Sequence, residues 1–278
     1  MAECNICFRK CKLEEGKIGF CGGRVCLDGK VVPDNYGMIS SIALDPIEKK
    51  PLHMYYPGSM IVSVGSYGCN LRCPFCQNYQ ISWSDDVESF RRESTYVSPE
   101  KLVEIAEEQK QNGNIGVAFT YNEPLISYEY VLDTAKLLKS RGMKTVLVTN
   151  GTADPESVKE LFSFVDAMNI DLKGFTDEYY RDLLMGDRKM VMSFIEEAVK
   201  HCHVELTTLI IPGENDSEEE MKNISEWISS LNPEIPLHIS RFFPRFHMTD
   251  RGPTEVQKIY RLKEIAEEKL KYVFTGNC

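Results

Sequence analysis

Short apolar runs that alternate with helical segments fill the chain from about residue 60 onward. Six of these runs are rich in β-branched residues, which is typical of strands buried on both faces of a parallel sheet. They cover residues 60–65, 116–120, 144–149, 167–172, 203–211 and 237–240. Six strand–helix units predict an α/β fold with a parallel sheet. The pattern alone leaves open whether the sheet forms a barrel or an open, doubly wound sheet.

Capping signals predict where several of the helices begin. A capping side chain before a proline occurs twice, and a capping-box spacing occurs twice more. We therefore expect helices to start at four places: Ser98–Pro99, Asp154–Pro155, Ser217 with Glu220, and Thr254 with Gln257.

Length and charge narrow the class of protein. The 278 residues suffice for one large α/β core, and 42% apolar with 27% charged residues is ordinary for a soluble globular protein. The net charge of −10 argues against a nucleic-acid partner held by phosphate contacts. No apolar run approaches the roughly 18–20 residues of a membrane span, and the amino terminus lacks the apolar core of a signal peptide. We expect a cytoplasmic protein with no membrane contact.

Ten cysteines are many for a protein of a reducing compartment, where metal or cluster ligation is the leading explanation. Their spacing supports this explanation, because eight of them fall into two groups. The first group is Cys4, Cys7, Cys11, Cys21 and Cys26, and the second is Cys69, Cys73 and Cys76.

Four of the amino-terminal cysteines, with the spacing C-x2-C-x3-C-x9-C, suffice for a zinc ion or for a second iron–sulfur cluster. The alternative is a set of free thiols. These four are Cys4, Cys7, Cys11 and Cys21.

The second group lies directly after the first predicted strand. Cys69, Cys73 and Cys76 place three thiolates within eight residues, and each can bind one iron of a cubane. Three protein ligands leave one iron open to an external ligand, as in a catalytic zinc site. A structural zinc site is the plainer alternative. An electron carrier or a metal-binding scaffold is another, but a carrier needs a fourth protein ligand, and the loop contains no suitable cysteine.

The spacing C-x3-C-x-aromatic-C after a strand resembles the signature of the radical S-adenosylmethionine (SAM) superfamily. Within it the chain is most similar to the pyruvate formate-lyase activating enzyme-like branch, particularly the AmmeMemoRadiSam radical SAM proteins. The matching stretches are DPIEKKPL, YPGS, YGCNLRCPFCQN, FTYNEP, VTNG, NIDLKGF, IIPGEND and HISRFFPRFHMTD. The resemblance implies a partial (β/α)6 barrel, TIM-like, over residues 56–278, preceded by a Cys-rich N-terminal extension, 1–55.

The resemblance also implies the ligands and several roles. Cys69, Cys73 and Cys76 would hold a [4Fe–4S] cluster whose open iron binds SAM. Tyr121 and Asn122 stand where the family has two glycines. The implied SAM contacts are Phe75 on the adenine, Asn122 and Glu123 near the ammonium, Thr149 and Asn150 near the ribose, Asp171 with a cation, Lys173 on the carboxylate, His238 on ribose or adenine, and Gln77 with no particular part of SAM assigned to it.

Each of these residues also has an ordinary structural interpretation. Asn150 with the following glycine forms a good turn dipeptide. Asp171 and Lys173 alternate on a strand and can pair with their neighbours, and Glu123 can be a loop residue before proline.

The implied activity is reductive cleavage of SAM to a 5′-deoxyadenosyl radical that abstracts hydrogen from a substrate. The branch suggests a glycine Cα of a partner glycyl-radical enzyme, with flavodoxin or ferredoxin as the one-electron donor. The alternative is modification of another macromolecule or of a small molecule. The segment 241–247, RFFPRFH, follows the last strand and either lines the substrate mouth or plugs the barrel.

Overall fold

The computed structural model describes residues 1–83 and 87–278. Within them the strands are β1 (Ala2–Glu3), β2 (Lys12–Leu13), β3 (Arg24–Leu27), β4 (Lys30–Pro33), β5 (Met38–Ile39), β6 (Ser41–Pro46), β7 (Met60–Gly65), β8 (Thr95–Tyr96), β9 (Asn114–Phe119), β10 (Lys144–Thr149), β11 (Ala167–Asp171), β12 (His203–Ile210), β13 (Leu237–Arg241) and β14 (Val273–Gly276).

The α-helices of the same residues are α1 (Tyr79–Ser82), α2 (Val87–Glu93), α3 (Pro99–Glu108), α4 (Tyr128–Ser140), α5 (Arg188–Ala198), α6 (Glu218–Leu231) and α7 (Val256–Glu267). Short 3₁₀ segments occur at Ile47–Lys49, Lys110–Asn112, Pro124–Ser127 and Lys159–Ser163, and a π turn at Tyr179–Leu183. None of the described helices has the length and apolar content that spanning a bilayer requires.

The main sheet has eight strands in the order β14-β13-β12-β11-β10-β9-β7-β6. Every neighbouring pair from β7 to β14 is parallel, and β6 pairs antiparallel with β7 at one edge. In this order β6 and β14 are the two edges, so the barrel is partial. The α/β prediction with a TIM-like partial barrel is confirmed.

All six predicted strands are present, with ends that differ from the predicted ones by at most two residues. They correspond to β7 and to β9–β13. The seventh parallel strand, β14, was not predicted, because its four residues, one buried and three partly exposed, give too short an apolar run to recognise.

Two of the four predicted helix starts are confirmed. The Ser98 hydroxyl accepts a hydrogen bond from the Lys101 N–H at 3.3 Å, and the Ser217 hydroxyl accepts one from the Glu220 N–H at 3.1 Å. The capping box at Ser217 is only half formed, since the Glu220 carboxylate accepts from the Phe175 N–H at 2.6 Å instead.

The other two predicted starts are wrong, because tertiary contacts take the capping groups. Asp154 begins a turn in which its carboxylate accepts from the Ser157 hydroxyl at 2.6 Å, and only a 3₁₀ segment follows. The buried Thr254 hydroxyl donates to the Ile210 carbonyl at 2.6 Å, and α7 begins two residues later without a side-chain cap.

Residues 1–40 form small antiparallel pairs beside the barrel, β1 with β2 and β3 with β4, while β5 pairs with β8. The buried Arg24 joins this part to the barrel through an ion pair with Glu129 at 2.7 Å and a hydrogen bond to the Ile126 carbonyl at 2.9 Å. Strand β6, which lies within the assigned extension 1–55, is an edge strand of the main sheet.

A buried carboxylate ties the segment between β6 and β7 to the amino-terminal end of the barrel. Glu205, on β12, is fully buried and accepts from the backbone N–H groups of His53 at 3.0 Å and Met54 at 2.8 Å. Its oxygens also lie 2.9 Å from His203 Nε2 and 2.6 Å from His238 Nε2. Burial alone would raise the pKa of Glu205, but these four bonds lower it to about 2.

We predict that Glu205→Gln removes part of the stability that depends on pH. A carboxylate with a lowered pKa stabilises the fold above the ordinary value of 4.5, and this stabilisation is lost as the pH falls towards 2. The full shift corresponds to about 3 kcal/mol. Chemical denaturation at several pH values should therefore show that the free energy of unfolding falls less between pH 4.5 and 2 for Glu205→Gln than for the wild type.

The matched control is Glu219→Gln, at an exposed position of α6. If the free energy of unfolding changes equally with pH in the wild type and in Glu205→Gln, the Glu205 carboxylate is not a group that stabilises the fold in its ionised form.

Candidate active site

A cavity of about 540 Å³ occupies the inside of the partial barrel. Strands β7 to β14 bring together all twelve residues predicted for the catalytic cluster and for SAM, and every one of them lines this cavity. They are Cys69, Cys73, Phe75, Cys76, Gln77, Asn122, Glu123, Thr149, Asn150, Asp171, Lys173 and His238. The cavity volume lies within the usual range for pockets that bind small molecules.

The three cysteines lie on the loop that leaves β7 and leads to α1. Gly68 has φ of 86°, and a Cβ at this position would lie 2.5 Å from the Cys21 carbonyl oxygen, so only glycine fits. The Leu71 N–H donates to the Cys69 sulfur at 3.4 Å. Burial raises the pKa of Cys69 and Cys76, and raises that of Cys73 to about 12. Buried thiols with N–H donors fit an iron–sulfur cluster, because ligation replaces the thiol proton.

Asn122 holds this loop in place. Its Oδ1 accepts from the Ser66 N–H at 2.9 Å, and its Nδ2 donates to the carbonyls of Tyr67 at 3.0 Å and Gly68 at 3.2 Å. The side-chain amide is therefore bonded to the backbone of three consecutive residues just before Cys69.

Tyr121 adopts a backbone conformation that glycine adopts more easily. Its φ is 72°, in the left-handed region that costs a non-glycine residue about 1 kcal/mol or more. Contacts hold it there: its hydroxyl donates to Asp45 Oδ2 at 2.9 Å, and Asp45 also pairs with the buried Lys50 at 2.9 Å. The turn thus survives the departure from the family's Gly-Gly sequence.

Glu123 joins the carboxyl ends of β9 and β10. These ends face the loop that carries Cys69, Cys73 and Cys76, here called the cluster loop. One carboxylate oxygen accepts from the Thr149 hydroxyl at 2.6 Å and the Leu125 N–H at 2.9 Å, and the other accepts from the Asn150 N–H at 2.8 Å. Burial raises the pKa of Glu123 to about 7, although these bonds lower it. The Thr149 hydroxyl also accepts from the Gly151 N–H at 3.1 Å, so it both donates and accepts within the protein.

The Asn150 side chain points to the cluster loop. Its Nδ2 lies 3.6 Å from Cys69 Sγ and 3.0 Å from Asn70 Oδ1, while its Oδ1 accepts from the Thr152 N–H at 2.8 Å. Asn150 begins the turn that its following glycine predicts, and it also provides a donor to a thiol of the loop. The turn interpretation of the Asn-Gly pair therefore applies, and the contact of Asn150 with the ribose stays a prediction.

Asp171 and Lys173 form an ion pair in the cavity, with Lys173 Nζ 2.7 Å from Asp171 Oδ2. Burial opposes the charge of the lysine, but Asp171 and the Cys73 thiol outweigh it, so the pKa of Lys173 lies above its ordinary value. The lysine is therefore a fixed positive charge beside the cluster loop.

The remaining predicted contacts occupy different parts of the cavity. Phe75 is buried within the loop, and Gln77 is exposed near the mouth. His238 lies near the amino-terminal start of β13, not at its carboxyl end, and its Nε2 is bonded to Glu205.

Cys4, Cys7, Cys11 and Cys21 do not reach this cavity. They line a separate small pocket, together with Arg9 and Arg24.

The segment 241–247 neither lines the cavity nor fills the barrel as a whole. Phe246 stacks on Tyr79 of α1 with ring centres 4.3 Å apart, and the His247 N–H donates to the Pro74 carbonyl at 2.9 Å. Phe242 is buried in the core. The segment therefore covers the outer side of the cluster loop.

Several residues of the site were missed from the sequence. His53 lines the cavity and is bonded by the buried Glu205 behind it, Thr275 and Asn277 line the side next to β14, and Asn70 anchors the loop by donating to the Thr152 carbonyl at 2.7 Å. Asp45 and Lys50 lie in the motif DPIEKKPL and Asn70 lies in YGCNLRCPFCQN, so the sequence identified all three residues. A motif match does not reveal which groups a side chain bonds to, so their hydrogen-bond partners were not predicted.

We predict that Asn122→Ala loosens the cluster loop. A typical hydrogen bond contributes about 1 kcal/mol, so exchange of the Ser66 amide hydrogen should accelerate roughly five- to tenfold. Hydrogen exchange of the metal-free protein measures this directly. Asn112→Ala is the matched control, since that asparagine is exposed and bonded to Gln109 at 2.8 Å. Unchanged exchange at residues 65–69 in Asn122→Ala would contradict the assigned role.

Comparison with known proteins identifies the family. The model of the radical SAM superfamily matches residues 63–224. An uncharacterized protein of Methanocaldococcus jannaschii is 40% identical over 277 residues, which are 99% of this chain and 80% of that protein. The pyruvate formate-lyase 1-activating enzyme of Escherichia coli strain K12 is 26% identical over 168 residues, 59% of this chain and 66% of that enzyme.

A solved structure supports the fold. The crystal structure of a radical SAM methyltransferase from Sphaerobacter thermophilus aligns with a TM-score of 0.60 at 16% identity, over 89% of this chain and 70% of that one. The family match spans β7 to α6 and includes the three-cysteine loop. The chain belongs to the radical SAM superfamily.

Proposed function

We propose that the cavity binds a [4Fe–4S] cluster through Cys69, Cys73 and Cys76, and SAM beside it. When bound, the cluster and SAM together supply a 5′-deoxyadenosyl radical, by one-electron cleavage of the sulfonium, that takes a hydrogen atom from a substrate. The observation that carries the proposal is the set of three thiols on one loop, buried at Cys73 and partly buried at Cys69 and Cys76, facing a cavity that Lys173 and Glu123 also line.

Charge supports the placement of SAM. The Lys173 ammonium suits the SAM carboxylate by a charge-assisted hydrogen bond, and Asp171 fixes its position from 2.7 Å. The buried Glu123 suits the SAM ammonium, since a cation beside a carboxyl with a raised pKa favours its ionised form. Asp171 itself could also bind a cation.

The other lining residues shape the same site. Phe75 packs on the adenine in this proposal, and Gln77 lies near the mouth. Thr149, Asn150 and His238 act mainly by position, because each already bonds to another residue of the protein. Asn122 orients the loop rather than binding SAM.

The proposed substrate is a glycine Cα of a partner glycyl-radical enzyme. The similarity to the pyruvate formate-lyase 1-activating enzyme supports this choice at 26% identity. Flavodoxin or ferredoxin is the class of donor that supplies one electron. All ten cysteines are free thiols in the described structure, which suits a cytoplasmic protein. Another macromolecule or a small molecule is the alternative substrate.

The first test is anaerobic SAM cleavage. We expect the reconstituted wild type to release 5′-deoxyadenosine with SAM and dithionite, and Cys73→Ala to release none, because removal of one thiolate leaves the cluster incompletely held. Cys202→Ala is the control, since that cysteine lies outside the cavity.

An intact [4Fe–4S] cluster in a protein that consumes no SAM, with or without the candidate substrate, would instead favour an electron carrier.

We predict that Lys173→Ala weakens SAM binding. A hydrogen bond to a charged group contributes about 1.5–3 kcal/mol, so the Kd for SAM should rise roughly 10- to 100-fold. Equilibrium binding to the reconstituted protein measures the change, and the exposed Lys200→Ala serves as control. An unchanged Kd for Lys173→Ala would reject the proposed carboxylate contact.

A further inference from the structure

The four amino-terminal cysteines, which the proposed function does not use, meet at one place. Cys4, Cys7, Cys11 and Cys21 all line one small pocket, and this pocket shares no lining residue with the main cavity. Four thiols around one pocket form the ligand set of a closed metal or cluster site. We propose that they hold a second [4Fe–4S] cluster.

Backbone N–H groups support the thiolates in both cysteine sets in the same manner. In each set, burial raises the pKa of the thiol, and the N–H of the residue two positions after the cysteine opposes this rise. Such donors stabilise thiolates that ligate a cluster. The pairs are Leu71 with Cys69 and Asn78 with Cys76 in the loop, and Arg9 with Cys7 and Gly23 with Cys21 in the extension.

The arrangement of the thiols favours a cluster over a single zinc ion. A zinc ion needs four ligands about 2.0–2.3 Å from one point. Each thiolate of a cubane instead binds a different iron, so its ligands lie further apart. Among the described residues, no group of three or more His, Cys, Asp or Glu side chains is arranged to hold one metal ion. Cys69, Cys73 and Cys76 are likewise not arranged around a single metal ion, and they match the cysteine motif of a superfamily that binds an iron–sulfur cluster.

The surroundings of the pocket suit a buried, negatively charged group. Ile6, Leu13 and Ile126 give it an apolar lining, Arg9 adds positive charge, and Arg24, whose charge is paired with Glu129, adds N–H donors. Arg24 is 4% exposed, and its Nε–H is buried without an acceptor in the described chain. The sulfur atoms of a bound cluster are acceptors of the kind that this donor lacks.

The proposed site is hydrogen-bonded directly to the cluster loop that carries Cys69, Cys73 and Cys76. The Cys69 N–H donates to the Cys21 carbonyl at 3.0 Å, so a ligand residue of each set is joined by one hydrogen bond. The side chain of Arg72, within the loop, also donates to the carbonyl of Phe20 at 2.5 Å. A cluster held by the extension would therefore fix the backbone that carries the first thiol of the loop.

The test counts iron in the full chain after anaerobic reconstitution with iron and sulfide. Each cubane contains four irons, so we expect about eight per wild-type chain and about four in a variant that combines Cys69→Ala, Cys73→Ala and Cys76→Ala. That variant leaves the amino-terminal thiols untouched, so its result does not depend on how their substitution affects folding. Electron paramagnetic resonance of the reduced variant should show a [4Fe–4S] signal.

The reciprocal variant combines Cys7→Ala with Cys21→Ala and should keep about four irons, those of the loop. Cys26→Ala is the matched control, because Cys26 is buried in the same extension but lies outside the pocket, and it should keep the wild-type count.

Two outcomes overturn the proposal. Stoichiometric zinc, with no iron, in the triple variant would assign the site to zinc, and neither metal would mean free thiols. In both cases the wild type would still hold four irons at the loop, and the proposed function would stand. A wild type with about four irons that the triple variant retains in full would contradict the proposed function instead.

Discussion

The loop that carries Cys69, Cys73 and Cys76 forms few of its backbone hydrogen bonds within itself. Its polar groups are bonded by distant parts of the chain: Asn122 from the end of β9, the Leu184 carbonyl, which accepts from the Arg72 N–H at 2.8 Å, and the Cys21 carbonyl of the extension. A loop whose polar backbone groups are hydrogen-bonded by distant residues keeps its conformation only when those residues are in place. The positions of the three thiols therefore depend on the whole fold.

The parallel sheet provides these partners because its strands end at one edge. Glu123 follows β9, Asn150 follows β10 and Asp171 ends β11, and the register of the sheet brings their side chains to the cavity. Glu123 is buried deeply enough that its pKa rises to about 7, whereas Asp171 and Lys173 compensate each other. The cavity thus combines the Asp171–Lys173 ion pair with a carboxyl group whose pKa is raised by burial.

The sequence predicted what depends on local pattern. The strands were identified by apolar runs and the three-cysteine loop by its spacing, whereas the other cavity residues were implied by the resemblance to the radical SAM superfamily. It failed where a side chain is used by a distant partner: Thr254 bonds to the Ile210 carbonyl instead of capping α7, and His238 bonds to Glu205 near the start of its strand. Hydrogen-bond partners that lie 33 or 44 residues away leave no periodic trace. Asn122 shows the same limit, since its motif was recognised and its role in holding the loop was not.

The extension and the barrel interact at the loop rather than at a separate interface. Gly68 can have no side chain because the Cys21 carbonyl lies 2.5 Å from where a Cβ would stand, and that same carbonyl accepts from the Cys69 N–H. The conformation around Cys21 is therefore part of the environment of the first thiol. Any ligand that fixes Cys21 restricts the backbone of Cys69 as well, because one hydrogen bond joins them. The amino-terminal cysteines are consequently positioned to influence the loop that carries Cys69, Cys73 and Cys76, even though they lie outside the cavity.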